Sequence, residues 1–449
     1  KIYGKKAIEL NPEYESKYYF NVSRFCQKLM DLDCELEYLE KYSNFEISSE
    51  QKAKTEHRIQ EISALSEVIN NATEIKLEKL SVEINDPSNP VYKPVLSVDN
   101  ERIVFTKRVN NQEDFYESVK KDGKWIEARP IQSLNTPGNE GAHAISPDGK
   151  WMIFTKCDVP QQYRSCDLYI SKWSNNTWSK PQYMGITNTE AWESQACFSP
   201  DGNTIYFSSS RSGGYGGKDL YKIEMTDGKW GKAENLGENI NTKGNEESPY
   251  MHPDGMSLYF MSNGHLGFGG QDLFFTSKRL DGSWKSPVNM PPYTNSNQDE
   301  GGIFVDIAGE FAYYSKTERV NKQLNSSIYK FPLPQQFKPQ PASFLKFILI
   351  DKESKSPISA DLQLIENSTR NITKSIPEEG LIQVINPQNN YSINIDKEGY
   401  LFHSESIQAN ERSSINEPII YEIELIPIIQ EIIKDTLPPV SLRNIYFES

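Results

Sequence analysis

"SPDGNTIYFSSSRSGGYGGKDLY" spans residues 199–221, and two readings compete for it. Its four glycines ahead of Lys218 suggest a phosphate cradle. A P-loop is spelled G-x-x-x-x-G-K-[ST], which suits Gly217 and Lys218 but requires glycine at 212 and a hydroxyl at 219. The chain has Ser212 and Asp219 there. An acid in place of the magnesium-binding hydroxyl is wrong chemistry, and "DLYKIEM" after it alternates like a strand instead of opening a helix. The stretch is better read as one copy of a repeat.

The other copies are easily found. "SPDGKWMIFTK" (146–156) and "HPDGMSLYFMS" (252–262) share its template, and "SVDNERIVFTK" (97–107) and "DIAGEFAYYSK" (306–316) are weaker versions. The turn position falls at Asp99, Asp148, Asp201, Asp254 and Ala308, in steps of 49, 53, 53 and 54 residues. A second motif keeps this period: "DFYES" from Asp114, "DLYIS" from Asp167, "DLYKI" from Asp219, "DLFFT" from Asp272 and "SIYKF" from Ser327. Tryptophans 125, 178, 230 and 284 recur after a second turn in four copies, and the fifth lacks one. Glu140, Glu193, Glu246 and Glu300 stand eight residues before the turn, where the first copy has Val91.

Each copy reads as a small sheet. Pro-Asp-Gly is turn chemistry, the apolar run after it a buried strand, and the alternating "DLYIS" a further strand. Four short strands in about 53 residues make a unit of propeller-blade size, which stacks on its neighbours to bury both faces. On this reading the recurrent acids are structural and cap turns between strands.

Composition agrees with a β-rich protein. The chain has 449 residues, enough for two to four domains, with 24 tyrosines, 20 phenylalanines and 7 tryptophans. Its net charge of −14 argues against nucleic acid as the main partner. No apolar run approaches the length of a membrane-spanning helix. Five cysteines, at 26, 34, 157, 166 and 197, include no C-x-x-C pair. Cys157 and Cys166 flank "DVPQQYRS", which reads as a hairpin loop; a disulfide and two unpaired thiols both remain open there.

The "SPDGxxIYFSSxR…DLY" spelling resembles the TolB-type, WD-like propeller repeat. "GGYGGKDLY" and "LGENINT" are similar to a version found in Bacteroidetes envelope proteins. The resemblance covers residues 78–340 and implies five blades, with a sixth built from divergent terminal strands as the alternative. Before it, residues 1–77 read as helices. The spelling "AIELNPEY", with a paired helix ending "YLEKY", resembles a tetratricopeptide repeat; a helical cap on the propeller is the other reading. After it, residues 342–427 alternate as strands and resemble a carboxypeptidase-regulatory-like β-sandwich through "PISA" (357–360) and "KEGY" (397–400). Residues 428–449 hold a Pro438-Pro439 linker and "LRNIYFES", similar to the first strand of an OmpA-like peptidoglycan-binding domain. The expected fold is therefore mainly β, with an N-terminal α-helical repeat, a five- or six-bladed propeller and a C-terminal sandwich.

Motifs for chemistry are scarce. The five histidines, 57, 143, 252, 265 and 403, form no HExxH or HxxE pair, and there is no G-x-S-x-G elbow or EF-hand spacing. His252 reads as a variant of the turn serine. No catalytic residue, metal or cofactor is expected. One surface stands out: "RSGGYGGKD" (211–219) aligns with "GHLGFGGQD" (264–272), which sets Tyr215 and Phe268 among glycines with Arg211 and His265 nearby. These four are candidate partner-contact residues. The competing reading is that the loop conformation simply requires glycine.

The order of parts resembles the PorE-type envelope component of the Bacteroidetes type IX secretion and gliding apparatus. That resemblance implies a non-enzymatic periplasmic scaffold, with or without a lipid anchor. It would be tied to peptidoglycan by a downstream OmpA-like domain and to outer-membrane secretion or adhesin proteins by the other modules. A propeller receptor for peptide or carbohydrate, and a propeller hydrolase or lyase, are the alternatives from other classes.

Overall fold

The computed structural model describes residues 15–428, apart from positions 30, 71–73, 98–99, 147–148, 158–165, 201, 227, 280, 321–322, 341, 368–371, 376–381, 387–388, 409–412 and 414–417. The expected OmpA-like strand, the proline linker, the first residues of the helical repeat and the turn residues Asp99, Asp148 and Asp201 lie outside the described residues. The chain divides into two compact units, the first holding residues 1–345 and the second most of residues 346–449.

The first unit is mainly β. Among the described residues it contains five antiparallel sheets, one for each copy of the repeat. The third is representative: Glu193–Phe198, Thr204–Ser209 and Asp219–Thr226 pair in order, with short outer strands Lys229–Trp230 and Glu234–Asn235. The residue after each turn position is left-handed: Asn100, Gly149, Gly202, Gly255 and Gly309 have φ of 58°, 70°, 71°, 70° and 66°. Glycine takes that conformation without steric cost, which is why the turn is spelled Pro-Asp-Gly.

The sheets form a ring. Each first strand packs beside the first strand of the next sheet, and the fifth packs beside the first. An apolar core fills every junction. Between the first and second sheets lie Val104, Phe115, Met152 and Phe154. Between the fifth and the first lie Tyr313, Ile328, Ile103 and Phe105. Such junctions explain the apolar runs: a sheet sandwiched on both faces reads as continuous hydrophobic sequence.

The ring is closed by sequence from before the first copy. The short strand Glu78–Lys79 pairs with the fifth sheet, Glu78 opposite Lys330 and Lys79 opposite Tyr329. Arg129–Pro130 holds the equivalent place on the first sheet and Glu234–Asn235 on the third. Sequence from before the first copy thus supplies the outer strand of the last.

An asparagine seals each repeat, fully buried at 188, 241 and 295 and half-buried at 135. The side chains of Asn135, Asn188, Asn241 and Asn295 accept from the backbone N–H of Phe115, Leu168, Leu220 and Leu273, and donate to the carbonyl of the same residue, at 2.7–3.0 Å. Asn85 does the same for Ile328 at 2.7 and 3.0 Å, joining the first stretch of the ring to the last.

Among the described residues, three helices precede the ring: Glu15–Lys28, Leu32–Ser43 and Ser49–Asn70. Asp31 caps the second through the Cys34 N–H. A disulfide joins Cys26 to Cys34 across the first turn between helices. Buried Glu35 takes a forked ion pair from Arg58 of the third helix.

In the second unit, strands Ile372–Ser375, Asp361–Glu366, Asn390–Asp396 and His403–Gln408 form one sheet in that order. Leu362 and Leu364 face Ile395 and Ile393 across its centre, and all four are buried. Strand Ser343–Asp351 lies beside Ile419–Leu425 in another sheet. Tyr400 of the "KEGY" stretch donates its hydroxyl to Asp351 at 2.8 Å.

Candidate functional site

The recurrent acids are spent on the fold. Glu140, Glu193, Glu246 and Glu300 are all buried, and each carboxylate accepts from the N–H and hydroxyl of a residue four before it: Thr136, Thr189, Thr242 and Ser296. Lys156 and Arg211 add ion pairs to Glu140 and Glu193 at 2.9 and 3.3 Å. Glu300 has Lys316 only at 3.9 Å, and burial pushes its carboxyl up to about 8.

The glycine loops are built to fit the neighbouring sheet. The Asp219 carboxylate accepts from the N–H of Tyr215 and Gly216, and Asp272 from those of Phe268 and Gly269. A Cβ on Gly216 would collide with the carbonyls of Thr242 and Gly244, and one on Gly269 with the carbonyl of Ser296. The loop glycines therefore allow backbone to touch backbone between consecutive sheets, which favours the conformational reading of this motif.

The four residues singled out in these loops do not form one surface. Arg211 is half-buried, bonded to the Thr187 carbonyl and Ser209, with its guanidinium over the Tyr221 ring at 4.9 Å. His265 bonds the Ile240 carbonyl at 2.8 Å and lies against Phe274. Phe268 is buried among Leu32, Leu39, Ile62 and Leu65 of the helices. Its partner is this chain's own helical segment. Tyr215 alone stays exposed, at 49%. The expected contact patch thus reduces to one tyrosine, because the other three side chains satisfy packing and hydrogen bonds within the unit.

His252 is also accounted for. It is buried, accepts the Asp254 N–H at Nδ1 and lies 3.2 Å from the Asp306 carbonyl through Nε2. Cys157 and Cys166 form a disulfide, which settles the alternative left open by the sequence. Cys197 is a buried free thiol.

Another arrangement lies at the axis of the ring. Every first strand carries a bulge, between Tyr92 and Val95, Gly141 and Ala144, Ser194 and Cys197, Glu247 and Tyr250, and Gly301 and Phe304. At each bulge one residue is left-handed: Lys93 (φ 53°), Ala142 (49°), Gln195 (57°), Ser248 (52°) and Gly302 (61°). Four of the five are not glycine, which is uncommon, and bulges often re-aim side chains near functional sites. The Gln195 side chain accepts the Ser248 N–H at 2.8 Å, and Lys93 Nζ donates to Ser248 Oγ at 3.2 Å.

Lys93 forms the waist between two hollows. One, of about 300 Å³, is lined mostly by apolar groups including Val95, Met251 and Val305. The other, of about 580 Å³, holds Arg108, Glu113, Asp299 and Glu300. His143, the residue after Ala142, borders the apolar hollow, is fully buried, and among the described residues makes no well-formed hydrogen bond from either ring nitrogen, though the Val104 backbone acts on it. Burial and the Lys93 charge hold it down to about 3, so it is neutral. Among the described residues, no group of three or more His, Cys, Asp or Glu side chains is placed to hold a metal ion.

Comparison with known proteins gives likenesses of fold only. No family model matches the chain, and no curated protein matches it. Among solved structures, TolB from Acinetobacter baumannii is 18% identical with a TM-score of 0.35, the match covering 56% of this chain and 55% of that one. This chain therefore matches only about half the length of that TolB. A putative TolB from Agrobacterium tumefaciens is 16% identical with a TM-score of 0.32, over 58% of this chain and 100% of that one. An endo-arabinase from Bacteroides thetaiotaomicron VPI-5482 is 14% identical with a TM-score of 0.39, over 57% and 97% of the two chains.

Proposed function

We propose that the ring is a five-bladed propeller within a non-enzymatic periplasmic scaffold. In this reading the helices are a tetratricopeptide-like repeat, the second unit is a carboxypeptidase-regulatory-like sandwich, and "LRNIYFES" begins an OmpA-like domain that grips peptidoglycan. The other modules hold outer-membrane proteins of the secretion or gliding machinery.

The observation that carries this reading is the use made of the recurrent carboxylates. Glu140, Glu193, Glu246, Glu300, Asp219 and Asp272 are occupied by turn N–H groups or hydroxyls. Groups so occupied brace a frame and are poorly placed to turn over a substrate. The disulfides Cys26–Cys34 and Cys157–Cys166 support an oxidising compartment. The test is recovery by the intact protein, with its native downstream sequence, of peptidoglycan sacculi by co-sedimentation and of outer-membrane proteins by cross-linking in envelope fractions. Recovery of neither would overturn the scaffold.

A further inference from the structure

Lys93 is a buried cation lacking a matching anion. It is 6% exposed, its ammonium donates to the neutral hydroxyl of Ser248, which lines the opposite hollow, and no described carboxylate lies in ion-pair range. Burial lowers its ammonium to about 8, so it still carries charge at neutral pH. The nearby Cys197 thiol is pushed up to about 12 by burial and provides no counter-charge. A buried charge normally has a partner, because desolvation without one is costly. His143 borders the same hollow, with both ring nitrogens buried and no well-formed hydrogen bond from either among the described residues, the Val104 backbone being the nearest polar group that acts on it. Its neutral ring has one N–H to donate.

The surroundings define what would satisfy both groups. No Asp or Glu is among the described residues lining the 300 Å³ hollow. The carboxylates Glu113, Asp299 and Glu300 line the opposite hollow. The wall of this hollow is apolar, with Val95, Met251, Ile303 and Val305 in it. An apolar cavity of about 150 Å³ takes one benzene, so this space suits a ring with a short chain.

We propose that the axial hollow binds a small carboxylate with an apolar body, its oxygens on Lys93 and His143 and its body in the apolar wall. The ligand is either a free organic acid or the C-terminal end of an apolar peptide. This site does not depend on the scaffold reading.

Titration calorimetry at pH 7 with 3-phenylpropionate, and with 3-phenylpropanol as its neutral counterpart, tests the site on the full chain. The acid is expected to bind at least about tenfold more tightly than the alcohol, and to shift the His143 ring resonances in 15N-histidine-labelled protein. Lys93→Met should remove that preference. A peptide ending in a free Phe that competes with the acid, where its amidated form does not, identifies a chain end as the source. A peptide that fails to compete while the acid binds identifies free acids. Equal affinity for acid and alcohol, no binding of the acid, or an undiminished preference in Lys93→Met overturns the proposal. If Lys93→Met does not fold, the acid-to-alcohol contrast and the His143 resonance in the unaltered protein decide it.

Discussion

Asn85→Ala is expected to open the ring at its seam. Asn85 is 5% exposed and its side chain makes three bonds: from the Ile328 N–H at 2.7 Å, to the Ile328 carbonyl at 3.0 Å and to the Leu80 carbonyl at 2.8 Å. The Ile328 carbonyl keeps a second donor, the Leu80 N–H at 3.1 Å, but the Ile328 N–H loses its acceptor. A buried donor left unmade costs about 1–3 kcal/mol, and the lost amide bonds add about 1 kcal/mol. The expected loss is about 2–4 kcal/mol by urea unfolding. Asn241→Ala removes the same pair of bonds, at 2.7 and 3.0 Å to Leu220, inside one repeat. It should cost a similar amount. Only Asn85→Ala should speed hydrogen exchange at residues 78–80 and 328–330 while the other sheets keep their protection. A loss below about 0.5 kcal/mol, or identical exchange at the seam in both variants, would refute the reasoning.

Three further outcomes are expected from the geometry. Phe268→Ala should cost about 3–5 kcal/mol in helix docking, since it empties a buried aromatic site among Leu32, Leu39, Ile62 and Leu65; exchange should rise in residues 32–69 and stay unchanged in the ring. Glu300 titrates at about 8 in the fold against an ordinary 4.5. A raised carboxyl stabilises fully below its unfolded value and loses that contribution as pH rises through the folded one. Glu300→Gln should therefore gain on the unaltered protein between pH 4.5 and 8, by up to roughly 1.4 kcal/mol per pH unit, and a constant difference in urea midpoints would contradict this. Replacing Cys157 and Cys166 together by serine should cost about 2–3 kcal/mol, the loop-closure entropy of a ring of about ten residues, read as a lowered thermal midpoint under non-reducing conditions.

The ring was legible because its rules are local. A left-handed turn residue, an apolar strand and an acid that accepts the preceding turn each leave a letter at fixed spacing, so Gly149, Gly202 and Gly255 could be aligned by eye. The asparagines could have been read in the same way. They sit in "SLNT", "ITNT", "NINT" and "YTNS" at 135, 188, 241 and 295, a plainer spelling than the Asp-Gly turns because asparagine is common in loops of any kind. The axial residues left no such trace. Lys93, Ala142, Gln195, Ser248 and Gly302 share a backbone conformation and nothing chemical, so the period 49, 53, 53, 54 is invisible in their spelling. Phe268 misled for a different reason. An aromatic among glycines looks exposed until a segment from far earlier in the chain covers it. The Cys26–Cys34 bond was likewise hidden, since it depends on how two helices turn back on each other.

The seam also determines how the ring answers tension. The chain enters the fifth sheet at Glu78 and leaves it after Pro332, and Glu78 lies opposite Lys330. Entry and exit are therefore at the same end of one antiparallel pair. A pull applied at Glu78 and Pro332 would load that pair as a zipper, one bond at a time from Lys330 toward Ile328. The bonds of Asn85 to Ile328 come next in line and act as the stop. A ring closed in this way carries tension applied at its two ends across the seam, where the bonds open in sequence and not all at once.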